Sequence, residues 1–511
     1  MKNSIKILAG LIAVGFVSCE PEFENSVEDQ GFYDSGSADF SRFVAVGNSL
    51  TAGFADNALY ITGQENSYPN IMAGQFSFVG GGEFTQPLMN DNLGGLLLNG
   101  TQITGNRLVL AADANGTPLG PVELEGMPTT EITTSATGPF NNMGVPGAKS
   151  FHLVAPGYGN VAGVASGAAN PYFARFATSA NATVIGDAAT LNPSFFTLWI
   201  GNNDILSYAT SGGIGVDQTG NLDPATYGPN DITDPNVFAS VYSQQVDALS
   251  ASASGGVLVN IPDVTSIPYF TTVPVQSIPL DAATAAAVNA EFELFNTQVL
   301  PGLVGAGLLS EEEANQRMIN FVAGANFPIL TDDDLLDLSP ILQGPPFNLP
   351  AELAQLLGQI RQATNDDLIV LPASSVLGTT PDPSNPLGVI GVSIPLSDQF
   401  VLTDTEQFRV ANASAAYNLT IQSLAGANDL AFVDARAALE QVAEVGVPYD
   451  AGLLTDTFVT GGAFSLDGVH PTPRGYAYTA NLMIQAINAK YGATIPQVNI
   501  GNYGTVTLTN N

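Results

Sequence analysis

Cysteine, histidine and tryptophan are nearly absent from this chain: one, two and one residue respectively among 511. A single cysteine, Cys19, excludes an intrachain disulfide and any multi-cysteine metal site. Two histidines, His152 and His470, exclude a three-histidine zinc centre and leave only two candidates for imidazole chemistry. Neither a metal nor a cofactor is therefore expected. Basic residues are also scarce, 12 Lys and Arg against 47 Asp and Glu, for a net charge of −35. Such a chain is repelled by nucleic acid and by anionic surfaces, and suits an extracellular or saline setting. Apolar residues nevertheless make up 45% of the sequence, enough to bury a sizeable core and to argue against disorder of the whole.

Long hydrophobic runs are missing too, apart from Ile7 to Val17 behind Lys2 and Lys6. That run is too short to span a bilayer and ends in small residues before Ser18-Cys19. It looks like a bacterial lipoprotein signal peptide (residues 1–18), with Cys19 as the site of lipid attachment and Phe16 an unusual lipobox residue. Membrane attachment is then expected through the lipid alone. Glu20, Glu22 and Glu24 resemble the export tag of Bacteroidetes surface lipoproteins. The expectation is an exported lipoprotein of the outer membrane or cell surface of a Gram-negative bacterium. Residues 19–39 are polar, acidic and aperiodic, as in a tether.

From Phe40 onward, strand-like runs alternate with helical patterns, which predicts an α/β fold with a parallel sheet. The principal strands are expected at Phe43–Val46, Asn142–Val145, Phe195–Ile200, Val257–Ile261 and Leu430–Val433. Each is followed by polar, proline or glycine residues, as where strands feed loops at a sheet's carboxyl edge. Asp234-Pro235 predicts a helix start, with Phe238, Tyr242, Val246 and Leu249 on one face. Thr403-x-x-Glu406 has the capping-box pattern and opens a helix carrying Phe408, Ala411, Ala415 and Leu419 inward. A last helix covers Pro473–Lys490. The domain, residues 40–490, is interrupted by insertions at about 80–138 and 278–400 and followed by a tail, 491–511. The first insertion reads as a β-hairpin around Asp113-Ala114-Asn115-Gly116. The second reads as mostly helical, with a start at Ser310-Glu311-Glu312-Glu313. Asp332-Asp333-Asp334 has neither the glycine nor the later glutamate of a calcium loop and reads as an acidic first helical turn. Leu96–Leu98 and Leu303–Leu309 read as core rather than as a lining for an acyl chain.

Four segments carry chemistry. Phe43-Val44-Ala45-Val46-Gly47-Asn48-Ser49-Leu50 is a buried strand that stops at a glycine and turns into a helix. A serine there has both its hydroxyl and its backbone N–H facing outward. The others are Asn142-Met143-Gly144-Val145-Pro146-Gly147-Ala148, then Gly201-Asn202-Asn203-Asp204 after a strand, then Asp467-Gly468-Val469-His470 before the last helix. Acyl transfer needs a nucleophile, a base, a group orienting that base, and oxyanion donors. Ser49, His470 and Asp467 can fill the first three roles. The Ser49 and Gly147 amides and the Asn203 side chain can supply the donors, with Gly144 a rival to Gly147. His152 is the rival base, but no carboxylate lies at a helpful spacing from it.

These segments, in this order, resemble the blocks of the SGNH (GDSL-type) hydrolase family. The resemblance implies a flavodoxin-like three-layer α/β/α sandwich and a serine ester hydrolase. By block it implies Ser49 as nucleophile, Gly147 and Asn203 as oxyanion donors, and Asp467 with His470 as the acid–base pair. The sequence departs from the family at Asn48, where the motif has aspartate. The expected activity is hydrolysis of carboxylic esters through an acyl-serine intermediate. The substrate is left open between acyl esters of lipids and O-acetylated glycans. A non-catalytic lipoprotein that binds glycan or lipid is the reading from another class.

Overall fold

The computed structural model describes residues 32–113, 117–385, 387–450 and 452–510. The signal segment, Cys19, most of the tether and the tip of the 113–116 turn lie outside the described residues. Five apolar strands form one parallel sheet: β1 (Phe43–Gly47), β2 (Asn142–Gly144), β3 (Phe195–Trp199), β4 (Gly255–Val259) and β5 (Ala431–Val433). Their spatial order is β5-β4-β3-β1-β2. The chain steps outward from β1 to β2, then returns to the other side of β1 to lay down β3. A crevice opens where the order reverses, at the carboxyl ends of β1 and β3.

Strand periodicity sends alternate side chains to opposite faces, and helices cover both. Val44, Val46, Phe196, Leu198 and Leu258 face a core shared with α3 (Val184–Thr190), α4 (Asn203–Thr210), α5 (Pro235–Ser250) and α6 (Asp404–Ala427). Phe43, Ala45, Phe195, Trp199, Val257, Val259 and Val433 face α2 (Tyr68–Phe76), α7 (Ala435–Glu444) and α8 (Pro473–Tyr491). A four-residue helix, α1 (Ser49–Ala52), follows β1 directly. No helix among the described residues is long and apolar enough to cross a membrane.

The expected α5 stands: Asp234 caps it, and Phe238, Tyr242, Val246 and Leu249 are buried. The capping box of α6 also forms, but the expected inward face is wrong. Phe408 and Leu419 are 67% and 68% exposed, and the buried stripe is Val410, Ala413, Tyr417 and Ile421. Apolar residues occupy both faces of this helix, so periodicity alone did not discriminate. Tyr417 settles the choice by stacking on Phe238 at 4.2 Å.

The hairpin of the first insertion pairs Leu108–Ala112 with Pro118–Glu123. The tail does not hang free: Ile495 and Ile500 are buried, and Leu508–Asn510 pairs with Leu108–Ala112. The described end of the tether packs as well, since Ala38 is buried and Ser37 donates its amide to Tyr491. The second insertion mixes short helices, including Glu311–Gln316 capped by Ser310, with antiparallel strand pairs around a core of its own. Asp332-Asp333-Asp334 is not a first helical turn. It forms a tight turn in which Asp332 pairs with Arg361 and Asp334 with Arg409, and the next helix begins only at Ser339. Those arginines, distant in sequence, outcompete helix formation.

Candidate active site

β1 is buried along its whole length and delivers the chain to the crevice. Gly47 makes the exit possible: a Cβ there would stand 2.2 Å from Thr51 Oγ1 and 2.3 Å from the Trp199 carbonyl. Asn48 then caps α1, its Oδ1 accepting the Leu50 amide at 3.0 Å. Its Nδ2 donates to Asn202 Oδ1 at 3.3 Å, tying the first block to the third. Asparagine therefore caps the turn through its side-chain oxygen, as an aspartate at this position would. It does so without a buried negative charge, and its second function is one that a carboxylate cannot perform.

Ser49 and His470, 421 residues apart, meet at the end of β1. His470 Nε2 lies 2.9 Å from Ser49 Oγ, and Nδ1 lies 2.9 Å from Asp467 Oδ2. With Asp467 ionised, Nδ1 carries the imidazole proton and Nε2 is the acceptor for the serine hydroxyl. Asp467 is fully engaged: Oδ1 accepts from the amides of Val469 and His470 and from Ser465 Oγ, and Oδ2 also accepts the Asn57 amide. Burial by itself would raise this carboxyl. The His470 charge and the hydrogen bonds from His470 and Val469 outweigh it and hold the group at about 2. The Phe54 ring packs 4.7 Å from the imidazole and limits its rotation.

The candidate oxyanion donors follow the carboxyl ends of β1, β2 and β3. Val145-Pro146-Gly147-Ala148 closes a turn, the Ala148 amide donating to the Val145 carbonyl, with Gly147 at φ +79°. Proline followed by glycine at positive φ is the type II pattern, which turns the central N–H outward. Among the described residues, neither the Gly147 nor the Ser49 backbone N–H is engaged in a hydrogen bond. Gly144 is not the donor, because it lies in β2 against α1, where a Cβ would be 2.3 Å from the Ala52 nitrogen. Asn203 is buried at the start of α4. It spends one amide hydrogen on the Ala148 carbonyl at 2.9 Å, which fixes the side chain and leaves the second available.

His152 does not reach this site. Its Nδ1 accepts the Lys149 amide, its ring stacks on Tyr158 at 4.4 Å, and burial, assisted by the Lys149 charge, pushes it down to about 3. It is a half-buried, neutral histidine.

Sequence reasoning missed the layer that holds these groups. Asn170 Nδ2 donates to the Pro146 carbonyl and secures the Gly147 turn. Asp204, fully buried, accepts from both the amide and hydroxyl of Ser150, joining α4 to the segment after β2. Asp56 accepts from Tyr60 and from the Leu466 amide, and so anchors the Asp467 loop. The fourth member of the Gly201-x-Asn203-Asp204 block was the one available sign, because an acidic residue after an oxyanion asparagine asks for a partner.

An apolar cavity of about 120 Å³ begins at Ser49, Asn203 and His470 and runs beneath α7 and α8. Leu96–Leu98 and Leu303–Leu309 do not line it. Leu96 packs in a small core with Leu59 and Ile132, and Leu303 and Leu309 lie in the core of the second insertion.

No family model, curated protein or solved structure matches this chain significantly. The functional reading rests on the geometry above.

Proposed function

We propose that this chain is a serine hydrolase of carboxylic esters, of the SGNH type, built on a flavodoxin-like doubly wound sandwich. The single observation that carries the reading is the unbroken relay Asp467–His470–Ser49, both links at 2.9 Å. The β5-β4-β3-β1-β2 order, read outward in chain order, is the flavodoxin-like arrangement, and Ser49 sits at its switch point.

Ser49 Oγ attacks the acyl carbon as its proton passes to His470 Nε2. The tetrahedral oxyanion is received by the Ser49 and Gly147 amides and by Asn203 Nδ2. His470 then protonates the departing alcohol, leaving acyl-Ser49. Water attacks that ester, gives its proton to His470, and the acid is released with the serine restored. Asp467 stays ionised throughout and stabilises the imidazolium.

Purified protein is expected to hydrolyse p-nitrophenyl butyrate, and Ser49→Ala to lower kcat by roughly 10⁴-fold or more. An unchanged rate in Ser49→Ala would falsify the assignment. A glycan- or lipid-binding lipoprotein without activity would not need the complete relay.

A further inference from the structure

The cavity beside Ser49 is built from the sheet itself. Gly47 pairs with Trp199, Leu198 with Leu258 and Val259 with Val433, so Gly47, Trp199, Val259 and Val433 form one row across four strands. The three side chains of that row point to the same face, towards α8. They line the cavity floor, and Ala438 of α7 and Leu482 of α8 line its opposite wall. Polar lining is concentrated at the Ser49 end. Farther in, only Tyr478 and Thr479 of α8 carry hydroxyls. The indole N–H of Trp199 is already spent on the Asn260 carbonyl at 3.2 Å, so the ring offers the cavity an apolar surface.

Resting on the hydrolytic reading above, we propose that this channel holds the acyl chain of the substrate, extended from Ser49 past Trp199 and Val259 to Val433. Three strand spacings of about 4.8 Å place its far end roughly 14 Å from the nucleophile, which fits an extended chain of about ten to twelve carbons. The acyl group is the part that belongs inside. It stays bonded to Ser49 through both half-reactions, whereas the alcohol must leave while water enters. Each methylene buried contributes about 0.8 kcal/mol, so long chains gain affinity step by step until the channel is full. A glycan acetyl ester would leave this surface empty.

Trp199 is the chain's sole tryptophan, so its emission reports occupancy without any turnover. Dodecanoate titrated into Ser49→Ala is expected to shift that emission saturably, and acetate to leave it unchanged. For the wild type, kcat/KM for p-nitrophenyl esters is expected to rise at least tenfold from acetate to dodecanoate. Ala438→Phe narrows the channel and is expected to cut the dodecanoate-to-acetate ratio at least tenfold. Circular dichroism checks its fold, and Leu482→Phe serves if it does not fold. A flat chain-length profile with a silent Trp199 overturns the channel and leaves ester hydrolysis standing. Faster cleavage of dodecyl acetate than of ethyl dodecanoate assigns the channel to the alcohol and also overturns it. Cleavage of no ester while Trp199 still answers dodecanoate removes the hydrolytic reading and keeps the chain site.

Discussion

Asp467 shows how much a single carboxylate is asked to do. Five donors surround it, and they hold its carboxyl down to about 2 against the effect of burial. Asn at this position keeps the shape but removes the charge, and its amide can force the imidazole into the tautomer that protonates Nε2. Asp467→Asn is therefore expected to lower kcat on p-nitrophenyl butyrate by on the order of 10³–10⁴-fold with little change in KM. Steady-state kinetics decide the matter, and a loss confined to KM would mean that Asp467 only shapes the binding site. Asn48 is the other instructive residue. Its two polar atoms address two blocks, Leu50 and Asn202, and so fix the turn that carries Ser49.

The junction of β1 and α1 is the element that carries the proposed nucleophile. Two glycines let backbone meet backbone there. Gly47 lies against the Trp199 carbonyl and Gly144 against the Ala52 amide, leaving no room for a methyl group at either. Overpacking of this kind costs about 1–3 kcal/mol, and here the displaced atoms are those that aim Ser49. Gly47→Ala is accordingly expected to destabilise the protein by about 2 kcal/mol in urea unfolding and to reduce kcat at least tenfold. Wild-type kcat with unchanged unfolding would show that the junction tolerates bulk. This junction was legible in the sequence as a strand that stops at a glycine and turns into a helix, a common pattern that gained weight only beside the Gly201-Asn202-Asn203-Asp204 and Asp467-Gly468-Val469-His470 segments. The orientation of α6 was not: Phe408 and Leu419 are as hydrophobic as the residues buried in their place, and Tyr417 is drawn inward by its stack on Phe238 and by its hydroxyl's hydrogen bond to the Thr233 carbonyl.

Charge acts at the scale of the whole molecule. The net −35 leaves some carboxylates crowded, and Asp333, Asp398 and Glu406 bring oxygens within 4.8 Å of one another at the seam between the second insertion and α6. Burial, then the neighbouring carboxylates, raises Asp398 to about 7 and Glu406 to about 8, with Arg409 close by but paired to Asp334. A raised carboxyl pKa means that the folded state keeps protons the unfolded chain has lost, so stability falls as pH rises from about 4 to about 8. His152 acts oppositely. Its folded value of about 3 lies below that of a free imidazole, so stability falls as pH drops below about 6.5. Two carboxyls outweigh one imidazole once the unfolded carboxyls have ionised, so the melting temperature is expected to peak near pH 4 and to fall from there towards pH 8. Glu406→Gln, which can still accept the Thr403 amide, is expected to melt higher than wild type at pH 8 and equally at pH 5. Calorimetric scans across that range provide the check, and parallel profiles for the two proteins would contradict it.

The sequence by itself determined the parallel α/β class, the positions of the principal strands and of the α5, α6 and α8 helices to within a few residues, and Ser49, Asp467 and His470 as candidates for one site. These follow from local causes: periodicity, capping chemistry, and the scarcity of histidine that left His470 with one rival. Only the tertiary structure decided that Gly147 rather than Gly144 presents a free amide, that His152 is held against Tyr158 and away from Ser49, and that Asp332–Asp334 turns towards two arginines. It also formed the channel from Trp199, Val259 and Val433, which belong to three strands and acquire a common face only when the sheet aligns them. Local signals specify what a segment can be. Which of its groups are spent and which remain free depends on partners hundreds of residues away.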